Sequence, residues 1–190
     1  MKRTLVMAMA SIALALGTAA LAQTPAKLLP AQSEIAFVSK QMGVPVDGVF
    51  KKFDAQISLD PKKPEAGNVT FSVDTGSASL GIPQTDAELP KPEWFNAPKF
   101  PQASFQSLAI KGLGGGKFEV AGKLTIKGSV RDIVVPVNVV QSAGTSLASG
   151  AFTIKRLEFR IGEGDWGDTS IVANEVQVRF KLALSGLAPL

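Results

Sequence analysis

Cysteine, histidine and tyrosine are absent from all 190 residues, and tryptophan occurs only twice. Without cysteine there is no disulfide, no thiolate nucleophile and no residue to carry a lipoprotein's lipid. Without histidine there is no Ser-His-Asp triad, no imidazole base and no His-ligated metal. The chemistry left to the chain is that of carboxylates, Lys, Arg, Ser and Thr. Charge of one sign is scarce too: 20 Lys+Arg stand against 16 Asp+Glu. They are scattered, so the basic footprint of a nucleic-acid partner is missing and none is expected.

Long apolar runs are also scarce, with one exception at the start. Lys2 and Arg3 precede an almost wholly apolar run from Thr4 to Leu16, and Ala20-Leu21-Ala22 follows. A basic start, an apolar middle and a small-x-small end are the parts of a cleaved export signal. The run is shorter than the ~20 residues of a membrane span, and no charged stop-transfer segment follows. The expectation is a signal peptide over residues 1–22, cut after Ala22, and one mature domain over residues 23–190. Stable membrane insertion is not expected. Lys2 and Arg3 leave with the leader, so 18 basic residues face 16 acidic ones and the net charge falls from +4 to +2.

After a Pro- and Ala-containing lead-in over Gln23 to Ala31, the hydrophobic period becomes two. Ile35 and Phe37 share a face, and Val69, Phe71 and Val73 oppose Thr70 and Ser72. Strands are predicted over Ala103–Ile110, Lys117–Lys127 and Val130–Val140, and over a last stretch from Asn174 to Leu184. Pro136 limits ladder bonding where it falls. In Pro45 to Leu59 the apolar set changes phase beside Lys51-Lys52, which predicts a bend or bulge in a long strand. A second phase change, from Phe152 and Ile154 to Leu157, Phe159 and Ile161, predicts a bulge near Lys155-Arg156. The proline-rich stretch from Thr85 to Pro101 cannot form a long helix. It reads as an excursion over an opening or a sheet face, with short helical turns around Asp86–Leu89 and Glu93–Asn96. About eight strands with one apolar face each call for an all-β barrel or sandwich, and the bends and glycines favour a closed barrel.

Three motifs have plainer readings. Gly112-Leu113-Gly114-Gly115-Gly116-Lys117 is followed by a strand, whereas a phosphate loop must open a helix, so it reads as a hairpin link. Asn68-Val69-Thr70 fits a glycosylation sequon by chance, inside a predicted strand. Glu163, Asp165 and Asp168 lack the ligand spacing of a calcium loop and read as a solvated loop around Trp166.

The pieces resemble, in order and spacing, the YceI-like proteins. The resemblance rests on Ser33-Glu34-Ile35-Ala36-Phe37, Gly48-Val49-Phe50-Lys51-Lys52-Phe53, and Glu93-Trp94-Phe95-Asn96-Ala97-Pro98-Lys99-Phe100-Pro101 leading to Ala103-Ser104-Phe105. It continues in Gly122–Gly128, Val134-Val135-Pro136-Val137, Phe159-Arg160-Ile161-Gly162, Trp166 and Val176–Phe180. It implies a periplasmic, eight-stranded antiparallel, lipocalin-like β-barrel with a short helical insertion and a long apolar cavity. The implied partner is an apolar isoprenoid lipid, a polyisoprenoid or an isoprenoid quinone. Family members often carry a histidine just before the Trp94-Phe95 element. Here that stretch is Glu88-Leu89-Pro90-Lys91, so no role tied to it transfers, and no catalytic residue is implied.

The candidate ligand-contacting residues are the strand phenylalanines Phe37, Phe50, Phe53, Phe71, Phe105, Phe118, Phe159 and Phe180, with Trp94, Trp166 and Asn174 for the rim or lining. A barrel of this size either packs shut or holds one ligand. The expected function is binding rather than catalysis, against two alternatives: a ligand-free stress-response or structural module, and a carboxylate enzyme such as a glycosidase. Homo-oligomerisation is left open by the sequence.

Overall fold

Alternation signals a strand because successive side chains leave it on opposite faces. The computed structural model, which describes residues 25–190, turns nearly all the alternating stretches into antiparallel sheet. The leader expected over residues 1–22 lies outside the described residues. In chain order the strands are β1 (Ala26–Leu28), β2 (Glu34–Gln41), β3 (Val44–Phe50), β4 (Phe53–Ser58), β5 (Asn68–Asp74) and β6 (Ala78–Ser79). They continue with β7 (Gln102–Gly114), β8 (Lys117–Ile126), β9 (Ser129–Ser142), β10 (Thr145–Lys155) and β11 (Glu175–Ser185).

β1 and β2 lie end to end along β11, with Leu28 opposite Leu184 and Ile35 opposite Phe180. β3 and β4 lie end to end against them, and β5 and β6 against those in turn. Three bent strands plus β7 to β11 make a closed barrel of eight antiparallel strands; β1 closes the ring by pairing with both β4 and β11. The bend expected beside Lys51-Lys52 falls between β3 and β4. Two-residue links at Met42-Gly43, Lys127-Gly128 and Ala143-Gly144 join neighbouring strands, with both residues at positive φ, as a type I′ turn requires. Gly115 and Gly116 link β7, which ends at Gly114, to β8, so the glycine-rich stretch is a hairpin connection.

One expectation needs correcting. Leu157, Phe159 and Ile161 do not continue β10 beyond a bulge. The strand ends at Lys155, Arg156–Phe159 forms a 3-10 turn, and Arg160 takes a left-handed φ of 57°. Two local forces turn the chain. The Leu157 N–H donates to the Asn174 side chain at 3.1 Å, and the Arg156 side chain turns into the protein. The β9–β10 ladder stops at the Val137–Gly150 pair, just short of Pro136. Phe159 and Ile161 join the apolar cluster that also includes Ile133, Phe152 and Ile154. The excursion between β6 and β7 holds the short helix α1 (Pro83–Asp86) followed by turns, and it carries Leu89 and Phe95 into the same cluster.

Candidate functional site

The inward-facing sets of the strands do not fill the barrel. They enclose a cavity of about 550 Å³. Ile57, Leu59, Val69, Leu182, Leu184 and Leu187 border it where β4 and β11 end. Its wall is apolar because each strand devotes one alternating set to it: Phe118, Val120, Leu124 and Ile126 from β8, and Val135, Val137 and Val139 from β9. Ser39, Gln41, Gln84, Thr85 and Glu88 border the cavity at the opposite end, together with Trp94 and Trp166. That end holds most of the polar side chains of the lining and is called the mouth. The β2–β3 hairpin, α1 and the segment between β10 and β11 surround it.

Two buried cations hold the mouth together. Arg156 is 1% exposed. Its Nε donates to the Ala173 carbonyl at 3.1 Å, Nη1 to Ile161 and Gly162 at 2.9 and 2.8 Å, and Nη2 to Trp166 and Val172, both at 2.7 Å. All five guanidinium N–H groups therefore end on main-chain carbonyls. Burial pushes its pKa below the ordinary arginine range. Lys127, 3% exposed, donates from Nζ to the Pro92 and Arg160 carbonyls at 2.7 and 2.6 Å and to Glu163 Oε2 at 2.9 Å. It thereby ties the β8–β9 turn to the excursion and to the segment after β10. α1 is pinned by Asp86, which accepts from the Ser79 hydroxyl and the Leu80 N–H, both at 2.6 Å. These bonds, the hydroxyl first, hold the Asp86 carboxyl below the usual carboxylate range.

Of the residues singled out from sequence, Phe37, Phe50, Phe71, Trp94, Phe105, Phe118, Trp166 and Phe180 border the cavity. Phe53, Phe159 and Asn174 do not. Phe53 stacks on Phe71, ring centroids 6.1 Å apart, packs against the buried barrel cluster and lines a separate recess with Pro30 and Lys51. Phe159, 2% exposed, is packed in the apolar cluster of the excursion. Asn174 braces the turn after β10: its carbonyl accepts from the Arg156 N–H at 2.8 Å and its side chain from Leu157. Sequence reasoning missed Gln41, Gln84, Thr85, Glu88 and Arg156; Gln41 shares the alternating set of Ile35 and Phe37 in β2, whereas the other four lie off the strands. Glu163, Asp165 and Asp168 do not border it; Asp168 instead accepts from the Ser170 hydroxyl and N–H, at 2.7 and 2.8 Å.

The YceI-like domain matches residues 27–184. The chain belongs to the YceI-like family. BcnA of Burkholderia cenocepacia is 44% identical and superposes with a TM-score of 0.80, the match covering 83% of this chain and 99% of BcnA. A UPF0312 protein of Vibrio cholerae is 30% identical over 153 residues, 78% of this chain and 81% of that protein. A polyisoprenoid binding domain from Saccharophagus degradans, implicated in plant cell wall breakdown, superposes with a TM-score of 0.69 at 20% identity and shares the fold. That match covers 86% of this chain and 98% of the domain.

Proposed function

We propose that this YceI-like protein is a periplasmic binding protein that holds one long isoprenoid chain, polyprenyl or quinone-type, inside the barrel for sequestration, transport or storage. The cavity is the observation that carries this reading: about 550 Å³ of space walled almost wholly by Phe, Val, Ile and Leu. A tail buried there gains about 0.8 kcal/mol per methylene. It has no polar groups to satisfy, so an apolar wall suffices, and the head group meets the few polar side chains of the mouth. The polyisoprenoid binding domain of the same fold supports the ligand class. The basic-apolar-small pattern of residues 1–22 supports export.

Catalysis is the weaker reading. A glycosidase needs two carboxyls facing one another across a cleft, ~5–9.5 Å apart. Among the described residues, Glu88 is the only acidic side chain bordering the cavity. Native mass spectrometry and organic extraction of freshly purified protein test the proposal. A co-purifying apolar molecule, or one-to-one uptake of an added polyprenyl quinone, is the expected result. No bound molecule and no uptake would overturn it.

A further inference from the structure

Among the described residues eleven large apolar side chains are exposed, and five of them lie around the mouth. Met42 is 78% exposed, Val44 63%, Ile82 55%, and Trp166 and Ile171 41% each. Three segments supply these five. Met42 sits at the tip of the β2–β3 hairpin, and its N–H donates to the Ile171 carbonyl at 2.8 Å. Gln41 bridges to Val172, locking hairpin and loop side by side. Ile82 directly precedes α1, whose Gln84 and Thr85 border the cavity, and Trp166 borders it directly.

Register shows that this rim continues the lining. Val44 belongs to the same alternating set of β3 as Val46 and Phe50, which face the cavity. The apolar face of that strand runs out of the barrel and ends in water. A strand that only had to close the fold would turn polar at that point. An exposed apolar cluster of this kind marks an interaction surface. The mouth also mixes a tryptophan with aliphatic tips, the composition that settles at the boundary of a lipid headgroup layer.

We infer that this rim docks on the surface of a lipid bilayer, setting the mouth of the cavity against the membrane so that an apolar ligand passes between the two without crossing water. The inference rests on the binding reading above. A bilayer fits the rim better than a charged partner does. Lys40 and Lys91 stand near it, but so do Glu88, Asp165 and Asp168, and Glu88 and Lys91 neutralise one another at 2.6 Å. With no net basic charge, docking is driven by apolar contact and owes little to anionic lipid.

Co-sedimentation of the mature protein with phosphatidylcholine vesicles tests this, beside a variant carrying Met42→Ser, Val44→Ser and Ile82→Ser. None of these three side chains borders the cavity. The wild type is expected to partition onto the vesicles, with less than a twofold change on adding phosphatidylglycerol or raising salt. The variant is expected to partition at least ~10-fold less, since each replaced side chain contributes apolar area. Wild type that stays in the supernatant, or a variant that binds as wild type does, overturns the proposal. So does a wild-type dimer in sedimentation velocity that the variant splits without any vesicle binding, because the rim's occupant is then a second copy. Uptake of a polyprenyl quinone from detergent separates the two ideas. Protein that takes the quinone but ignores vesicles sinks docking alone; protein that binds vesicles but never takes the quinone supports docking and sinks the ligand reading.

Discussion

Replacing Arg156 by Met keeps an unbranched stem but ends short of the guanidinium, and it removes all five hydrogen bonds. Apolar replacement of a buried ion pair is often harmless, because both charges leave together. Here the partners are the carbonyls of Ile161, Gly162, Trp166, Val172 and Ala173, and no substitution removes them. At about 1 kcal/mol for each net bond lost, the variant should be destabilised by about 5 kcal/mol. That is comparable to the whole stability of a modest domain, ~5–15 kcal/mol, and corresponds to a melting temperature lower by on the order of 10–20 °C. Arg156→Lys retains the charge but offers three donors, so it strands about two carbonyls and should cost about 2–3 kcal/mol. Urea unfolding followed by tryptophan fluorescence reads both, because Trp94 and Trp166, 5.5 Å apart between ring centroids, lie in the segments that Arg156 and Lys127 hold. An Arg156→Met variant within about 1 kcal/mol of wild type would refute the claim that this guanidinium organises the mouth.

Three further outcomes are expected. Ala148→Phe places a ring in the cavity from a buried wall position; displacing two or three ligand methylenes, at about 0.8 kcal/mol each, it should lower retained ligand by about 30-fold in native mass spectrometry. Asp86 has a carboxyl held below its ordinary value of 3.8, so its stabilising contribution is complete above that pH and is lost as pH falls through the folded value. Protection of the Leu80 and Gly81 amides, taken against the intrinsic exchange rate at each pH, should therefore fall below about pH 3.8, and Asp86→Asn should remove that step. Gly48→Ala should cost about 1–3 kcal/mol through overpacking, because its new methyl lands on the Phe37 ring; thermal unfolding with no loss would count against the packing described here.

Period-two alternation made the barrel legible, and it did so where one face of a strand meets water. β5, β8 and β11 could be assigned residue by residue, because their outer faces are polar and a slip of one residue would invert them. β1 and β6, at three and two residues, are too short to show a period. The segment after Lys155 misled because Leu157, Phe159 and Ile161 alternate as a strand does. What decides there is the side chain of Arg156 gathering carbonyls over a span from Ile161 to Ala173, and sequence spacing does not encode that. The cavity residues divide along the same line. The strand phenylalanines were visible as an inner face. The mouth residues Gln84, Thr85 and Glu88 sit on an excursion whose position is set by tertiary bonds, Asp86 to Ser79 and Lys127 to Pro92.

An apolar inner face also does not distinguish a packed barrel from a hollow one, and eleven phenylalanines would ordinarily argue for packing. Glycine placement resolves the matter. Gly48 pairs with Phe37 across β2 and β3, and Gly150 with Phe180 across β10 and β11. The Phe105 ring likewise lies over Gly122. At each glycine the ring occupies the space where a Cβ would stand. The rings therefore lean sideways across the neighbouring strand and lie along the wall instead of pointing to the barrel axis. Three of the largest side chains thus line the cavity while leaving its centre open. Any side chain larger than hydrogen at those glycines would push a ring inward, so hollowness is set by the smallest residues of the wall as much as by its aromatics. On this argument Gly48→Ala and Ala148→Phe converge: one narrows the lumen by displacing Phe37, the other by filling it, and both should lower ligand capacity while the strand order stays intact.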